Sequence, residues 1–156
     1  MAASPWAVMD TLKERIRQDT VAAMRSRDRT RLAALRLVAA EIKQREGDGR
    51  QPLEDAGVLA VLDRMLKQRR DSAEQFRSAG REELAAAETF EIEVIEAYLP
   101  APLGNEDVVA LVEAAIAETG ASTMRDMGGV MARLRPQVQG RADMAEVSRL
   151  VRGRLA

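Results

Sequence analysis

The chain of 156 residues contains no cysteine and no histidine. The first absence removes disulfides, thiolate nucleophiles and cysteine-ligated zinc; the second removes the usual general base near neutral pH and the commonest transition-metal ligand. Aromatic residues make up 3% of the chain and are confined to Trp6, Phe76, Phe90 and Tyr98. Stacking platforms for single-stranded nucleic acid need several aromatics, so a strand-based RNA module is not supported, and Phe76 and Tyr98 read as core. No run of about eighteen apolar residues is present to form a membrane-crossing helix. Met1 to Met9 has neither the basic start nor the long apolar centre of a secretory signal. These absences predict a cytoplasmic protein with no metal, no cofactor and no membrane partner.

What remains is a helix-forming chain, 46% hydrophobic and 31% charged, dominated by Ala, Leu, Arg, Glu, Met and Gln. No segment alternates with period two, so the fold class is all-α. Thr11 and Glu14 have capping-box spacing for a first helix that turns Leu12, Ile16, Ala23 and Met24 to one side. A second helix, with Leu32, Leu35, Ala39 and Ile42 inward, is expected to stop near Glu46, where Gly47, Gly49 and Pro52 break the pattern. A third, from about Glu54 to Ser78, offers Val58, Leu62, Met65, Leu66, Ala73 and Phe76, with Gly80 placed to terminate it. Leu84, Ile92, Ile95 and Leu99 line a fourth. Short connections favour antiparallel neighbours, so residues 1–100 are predicted to form an antiparallel helical bundle preceded by an extension over 1–10. Pro100 and Pro102 make 101–104 a stiff linker.

Residues 105–156 are predicted to form a small three-helix domain. Gly120 stops its first helix, and Thr123 with Asp126 has the spacing of a capping box for the next. Met127, Val130, Met131 and Leu134 build one apolar stripe before Pro136, which is expected to end that helix. Asp143 and Glu146 repeat the capping spacing for a last helix carrying Val147, Leu150, Val151 and Leu155 inward.

The string from Thr119 to Met131, TGASTMRDMGGVM, followed by Gly140-Arg-Ala-Asp143, resembles the C-terminal part of the YqeY-like family. That family is related to the tail domain of the B subunit of the tRNA-dependent amidotransferase, the GatB/YqeY domain. Upstream, Lys67-Gln-Arg-Arg-Asp-Ser72, Phe76, Ala79-Gly-Arg81, Leu84 and Tyr98-Leu-Pro100 resemble the family's N-terminal helical domain in the same order. Gly129 stands where a lysine is common in the family, and Ala132 where a glycine is common. The resemblance implies tRNA as a partner and associates the chain with a carbon-nitrogen ligase activity that uses glutamine as amide donor. The chain lacks the equipment to run that reaction: no Cys or His, no P-loop and no amidase serine-lysine arrangement. Its expected role is therefore to hold tRNA beside catalytic amidotransferase subunits or another protein.

The net charge of −1 hides an uneven distribution. Arg25, Arg27, Arg29 and Arg31 crowd one helix junction, the helix after Gly80 is rich in glutamate, and the C-terminal end is rich in arginine. Arg125, Arg133, Arg141 and Arg149 are the candidate phosphate contacts. From charge alone, a solvated face in which they pair with Asp126, Asp143 and Glu146 is the stronger reading; the resemblance reverses that order. Gly128, Gly129 and Gly140 admit two readings, close approach of a sugar-phosphate backbone or tight packing between helices. Lys67 to Asp71 reads as a solvated face with Arg70 paired to Glu74. A protein-protein adaptor using the acidic fourth helix is the alternative function.

Overall fold

A computed structural model describes residues 11–156; the predicted extension over 1–10 and Trp6 lie outside the described residues. Every regular element described is helical. The helices are α1 (Leu12–Arg25), α2 (Arg29–Gly49), α3 (Asp55–Ser78), α4 (Glu82–Glu96), α5 (Asn105–Thr119), α6 (Met127–Val138) and α7 (Met144–Leu155), with a 3-10 turn, Met124–Asp126, leading into α6. They fall into two compact units that meet between Leu99 and Pro100.

In the N-terminal unit, α1 pairs with α2 and α3 with α4, and α2 packs on both α3 and α4. Leu35, Val38, Val58, Leu62, Met65 and Ile95 lie at the centre of its core, each no more than 1% exposed. Thr11 caps α1 as its spacing predicts, accepting a hydrogen bond from the Glu14 amide at 3.1 Å. Tyr98, just beyond α4, is buried, and its hydroxyl donates to the Asp19 carboxylate on α1. The Arg15 guanidinium lies over the same ring, 5.5 Å from its centre. Burial, reinforced by the Asp19 hydrogen bond and charge, pushes the Tyr98 hydroxyl well above its ordinary value of 10.0.

Two expectations for this unit are corrected. Met24 is 51% exposed and Ala39 is also exposed, because Ala23 and Val38, one residue earlier on each helix, take the inward positions. The second helix does not stop at Glu46 but continues through Gly47 and Gly49. Glu46 holds that last turn: its carboxylate accepts from the Leu53 amide at 2.8 Å and pairs with Lys13 on α1. Arg50, left-handed at φ 56°, then ends the helix.

In the C-terminal unit each of α5, α6 and α7 packs on the other two. Its core is aliphatic apart from Met131 and is built on repeats of four and three: Val108, Val112 and Ala115 from α5, Val130, Leu134 and Val138 from α6, and Val147, Val151 and Leu155 from α7. Gly120, at φ 67°, closes α5.

Pro136 does not end α6, which runs on to Val138. Proline costs that turn one donor to the carbonyl of Ala132, a residue open to water. In return the extra residues bury Val138 completely, and the Gln139 amide still reaches the Arg135 carbonyl at 2.9 Å. Residues 101–104 are hydrogen-bonded within this unit: the Leu103 amide donates to the Arg141 carbonyl at 2.8 Å, and Arg141 Nε donates to the Ala101 carbonyl at 3.0 Å.

Candidate nucleic-acid interface

The candidate residues are spread along the unit: Arg125, Gly128 and Gly129 at the start of α6, Arg133 in its middle, Gly140 and Arg141 in the α6–α7 turn at its other end, and Arg149 within α7. The capping box at Thr123 and Asp126 forms. The Asp126 carboxylate accepts from the Ser122 amide at 2.9 Å and the Thr123 amide at 3.1 Å, and these two bonds hold it below its ordinary value of 3.8. That carboxylate is engaged by backbone, and Arg125, exposed on the turn, makes no ion pair with any described residue. Asp143 caps α7 by accepting from the Ala145 amide at 2.9 Å. The capping box expected with Glu146 does not form, because Glu146 turns along the helix to Arg149 instead, at 2.9 Å.

The other three predicted arginines are engaged. Arg133 reaches across to Glu118 on α5 at 2.6 Å, Arg149 holds Glu146, and Arg141 clamps the Ala101 carbonyl. The first two pairs are exposed, with side chains more than half open to solvent. Surface pairs of this kind are worth about 0–1 kcal/mol, so a phosphate could displace either carboxylate at small cost. Arg141 differs, since its hydrogen bond fixes the chain entering α5. Two further cations of the basic C-terminal end, not among the candidates, are exposed and make no ion pair with any described residue: Arg135 on α6 and Arg152 on α7. Their signal was present in the sequence as part of the arginine-rich C-terminal end.

The glycines separate by role. Gly140 sits at φ 75° in the turn between α6 and α7, a conformation other residues adopt at a cost. Gly128 and Gly129 are helical and exposed, and a Cβ on either would meet no atom within 4 Å. Tight helix packing is therefore not their reason. With Ala132 three and four residues on, they leave a shallow stretch of α6 backbone open between Arg125 and Arg135.

Two of the six glutamates of α4 are paired inside their own unit, while Glu82, Glu83 and Glu93 are exposed. Arg69 holds Glu91 at 2.7 Å and Arg70 holds Glu96 at 3.0 Å. The Arg70–Glu74 pair expected along α3 gives way to this link between helices. Glu88, next to that seam, has its carboxyl raised above 4.5, by burial first and by the charge of Glu91 second.

Comparison with known proteins places this arrangement. A family model described as Yqey-like protein matches residues 13–155. The chain is 32% identical over 111 residues to "Altered inheritance of mitochondria protein 41, mitochondrial" of Eremothecium gossypii, covering 70% of this chain and 60% of that protein. It is 29% identical over 131 residues to the protein of the same name in Pyrenophora tritici-repentis, covering 82% and 71%. An uncharacterised protein of Schizosaccharomyces pombe is 29% identical over 99 residues, covering 64% and 80%.

The mitochondrial names of the first two relatives overturn the expected cytoplasmic location. The physical reason is that a missing apolar run speaks only to secretion and membrane insertion, whereas organelle addresses are amphipathic and arginine-rich. With nearly the whole described chain covered by one family model, the chain belongs to the YqeY-like family.

Proposed function

We propose that this chain is a tRNA-binding accessory module that holds the RNA beside the catalytic subunits of an amidating enzyme and supplies no nucleophile of its own. The observation that carries the reading is the open backbone at Gly128 and Gly129 beside the exposed Arg125 and Arg135; the helical Gly47, Gly49 and Gly153 are equally open, so the opening counts together with these cations. Glycine inside a helix costs about 0.5–1 kcal/mol relative to alanine, and close approach by a ligand backbone is the use that cost serves. Arg125 and Arg135 flank the opening without an ion pair to any described residue, and Arg133 and Arg149 become available by releasing exposed carboxylates. Contacts of this kind neutralise phosphates and read shape rather than base sequence. The resemblance of the unit to the amidotransferase tail points to tRNA as the RNA concerned.

The test is tRNA binding by the purified chain across a salt series, for the wild type, for Arg125→Gln with Arg135→Gln, and for Gly129→Ala. Binding that weakens with salt, with a slope shallower by about two in the double arginine variant, is expected. Gly129→Ala is expected to bind more weakly while melting at the same or a higher temperature. Wild-type protein that is folded yet shows no tRNA binding at low salt refutes the proposal.

A further inference from the structure

The turn joining α1 to α2 carries Arg25, Arg27, Arg29 and Arg31 within seven residues; Arg31 is half-buried and lies in the electrostatic range of Tyr98, and the other three point to solvent. Arg25, Arg27 and Arg29 are exposed and make no ion pair with any described residue. The only carboxylate within the turn, Asp28, is occupied as the cap of α2, accepting from the Arg31 amide at 3.2 Å. The Ser26 hydroxyl is likewise committed, to the Ala23 carbonyl at 3.3 Å.

Two of these arginines occupy positions that folding alone would give to other residues. Arg27 stands at φ 58°, the left-handed conformation that closes a helix end and that glycine enters without cost. The backbone bonds there, from the Arg27 amide to Met24 and from the Asp28 amide to Ala23, are those a glycine would make equally well. Arg29 opens α2, whose first turn contains no acidic residue, so a cation sits against the positive end of a helix of 21 residues. Arg50, the other left-handed arginine, follows Asp48 in sequence and lacks this local surplus of positive charge.

We propose that Arg25, Arg27 and Arg29 form a second phosphate-binding site, on the N-terminal unit, that grips the RNA backbone; this rests on the tRNA reading above and extends it. Guanidinium groups bind phosphate oxygens in bidentate fashion. RNA fits better than a lipid surface. Among the described residues Met24 is the one large exposed apolar side chain at this turn, and Leu37, the next in the unit, lies more than two turns along α2; insertion into a bilayer needs a wider apolar face.

The experiment uses the full chain with total tRNA in a salt series, comparing the wild type with Arg25→Gln/Arg27→Gln/Arg29→Gln and with Arg27→Gly alone, each with a melting curve. The triple variant is expected to lose about tenfold or more in affinity at low salt and to flatten the salt slope by two to three. Arg27→Gly is expected to flatten the slope by about one while its melting temperature holds or rises, a combination that a purely structural arginine cannot give. Unchanged affinity and slope in the triple variant overturn the proposal, as does an Arg27→Gly protein whose melting temperature falls while tRNA binding stays intact. A triple variant that loses binding to phosphatidylserine–phosphatidylcholine vesicles but not to tRNA also overturns it, in favour of a membrane surface. If the Arg125/Arg135 variant loses tRNA binding and the triple variant keeps it, this site fails and the C-terminal reading stands; if the wild type binds no tRNA, both fail.

Discussion

The arginines of the C-terminal unit and those of the α1–α2 turn look alike in sequence, yet the fold engages four of the first set and leaves Arg25, Arg27 and Arg29 of the second without an ion pair to any described residue. In the C-terminal unit Arg133, Arg149 and Arg154 each meet a glutamate and Arg141 meets a carbonyl. At the α1–α2 turn three arginines in five residues meet none. The difference lies in what the neighbouring helices present. In the C-terminal unit, α5 offers Glu113 and Glu118 to α7 and α6, whereas the nearest carboxylate at the turn is consumed by a helix cap. Density of positive charge along a sequence thus measures availability poorly.

The two units also differ in how they are held. The N-terminal core includes Tyr98 anchored to Asp19, while the smaller core is almost purely aliphatic; both units carry ion pairs between helices. With residues 100–156 alone, that unit is near the size at which one small core suffices. Truncating the fully buried Leu134 to alanine is expected to cost about 2–5 kcal/mol and to abolish cooperative melting of the C-terminal unit while the helical signal of the N-terminal unit persists. Leu62→Ala, equally buried, should lower the melting temperature of the larger unit without unfolding it at room temperature. Circular dichroism melts of both variants distinguish this from a single cooperative molecule, in which each substitution would move one common transition.

A smaller effect is expected from Tyr98→Phe, which leaves the Asp19 carboxylate without its donor and should cost about 1–3 kcal/mol. The pH dependence has a definite sign. Because folding raises the Tyr98 hydroxyl above 10.0, the stabilisation is fully present below pH 10 and is lost as the pH rises beyond it, since the unfolded chain releases the proton first. Denaturant melts between pH 8 and pH 11 should show that alkaline decline in the wild type and a flatter profile in Tyr98→Phe.

The smallest change in stability, within about 1 kcal/mol, is expected from Glu118→Gln, which frees Arg133. If pairing is what limits the C-terminal face, this variant binds tRNA more tightly than the wild type at low salt. An affinity equal to or below that of the wild type would show that Arg133 contributes nothing to the RNA surface.

The caps at Thr11, Thr123 and Asp143 and the stop at Gly120 are written in neighbouring residues, and so are the apolar stripes at spacings of three and four. They involve interactions within a turn or two, which is why the all-helical class could be read from order alone. Departures arose where a distant group intervened: Glu46, bound to Lys13, carries α2 past its glycines, and the burial of Val138 carries α6 past Pro136. The same division governs the candidate site. The family strings marked the region around Gly128 and Gly129, but whether an arginine there is free depends on a carboxylate 15 residues away for Arg133 and 41 away for Arg154. The sequence by itself determined the helices, their seams and the family; only the packing of one helix on another decided which cations stand open to a ligand. Periodicity acts along a single helix, whereas charge pairing acts across the space between two.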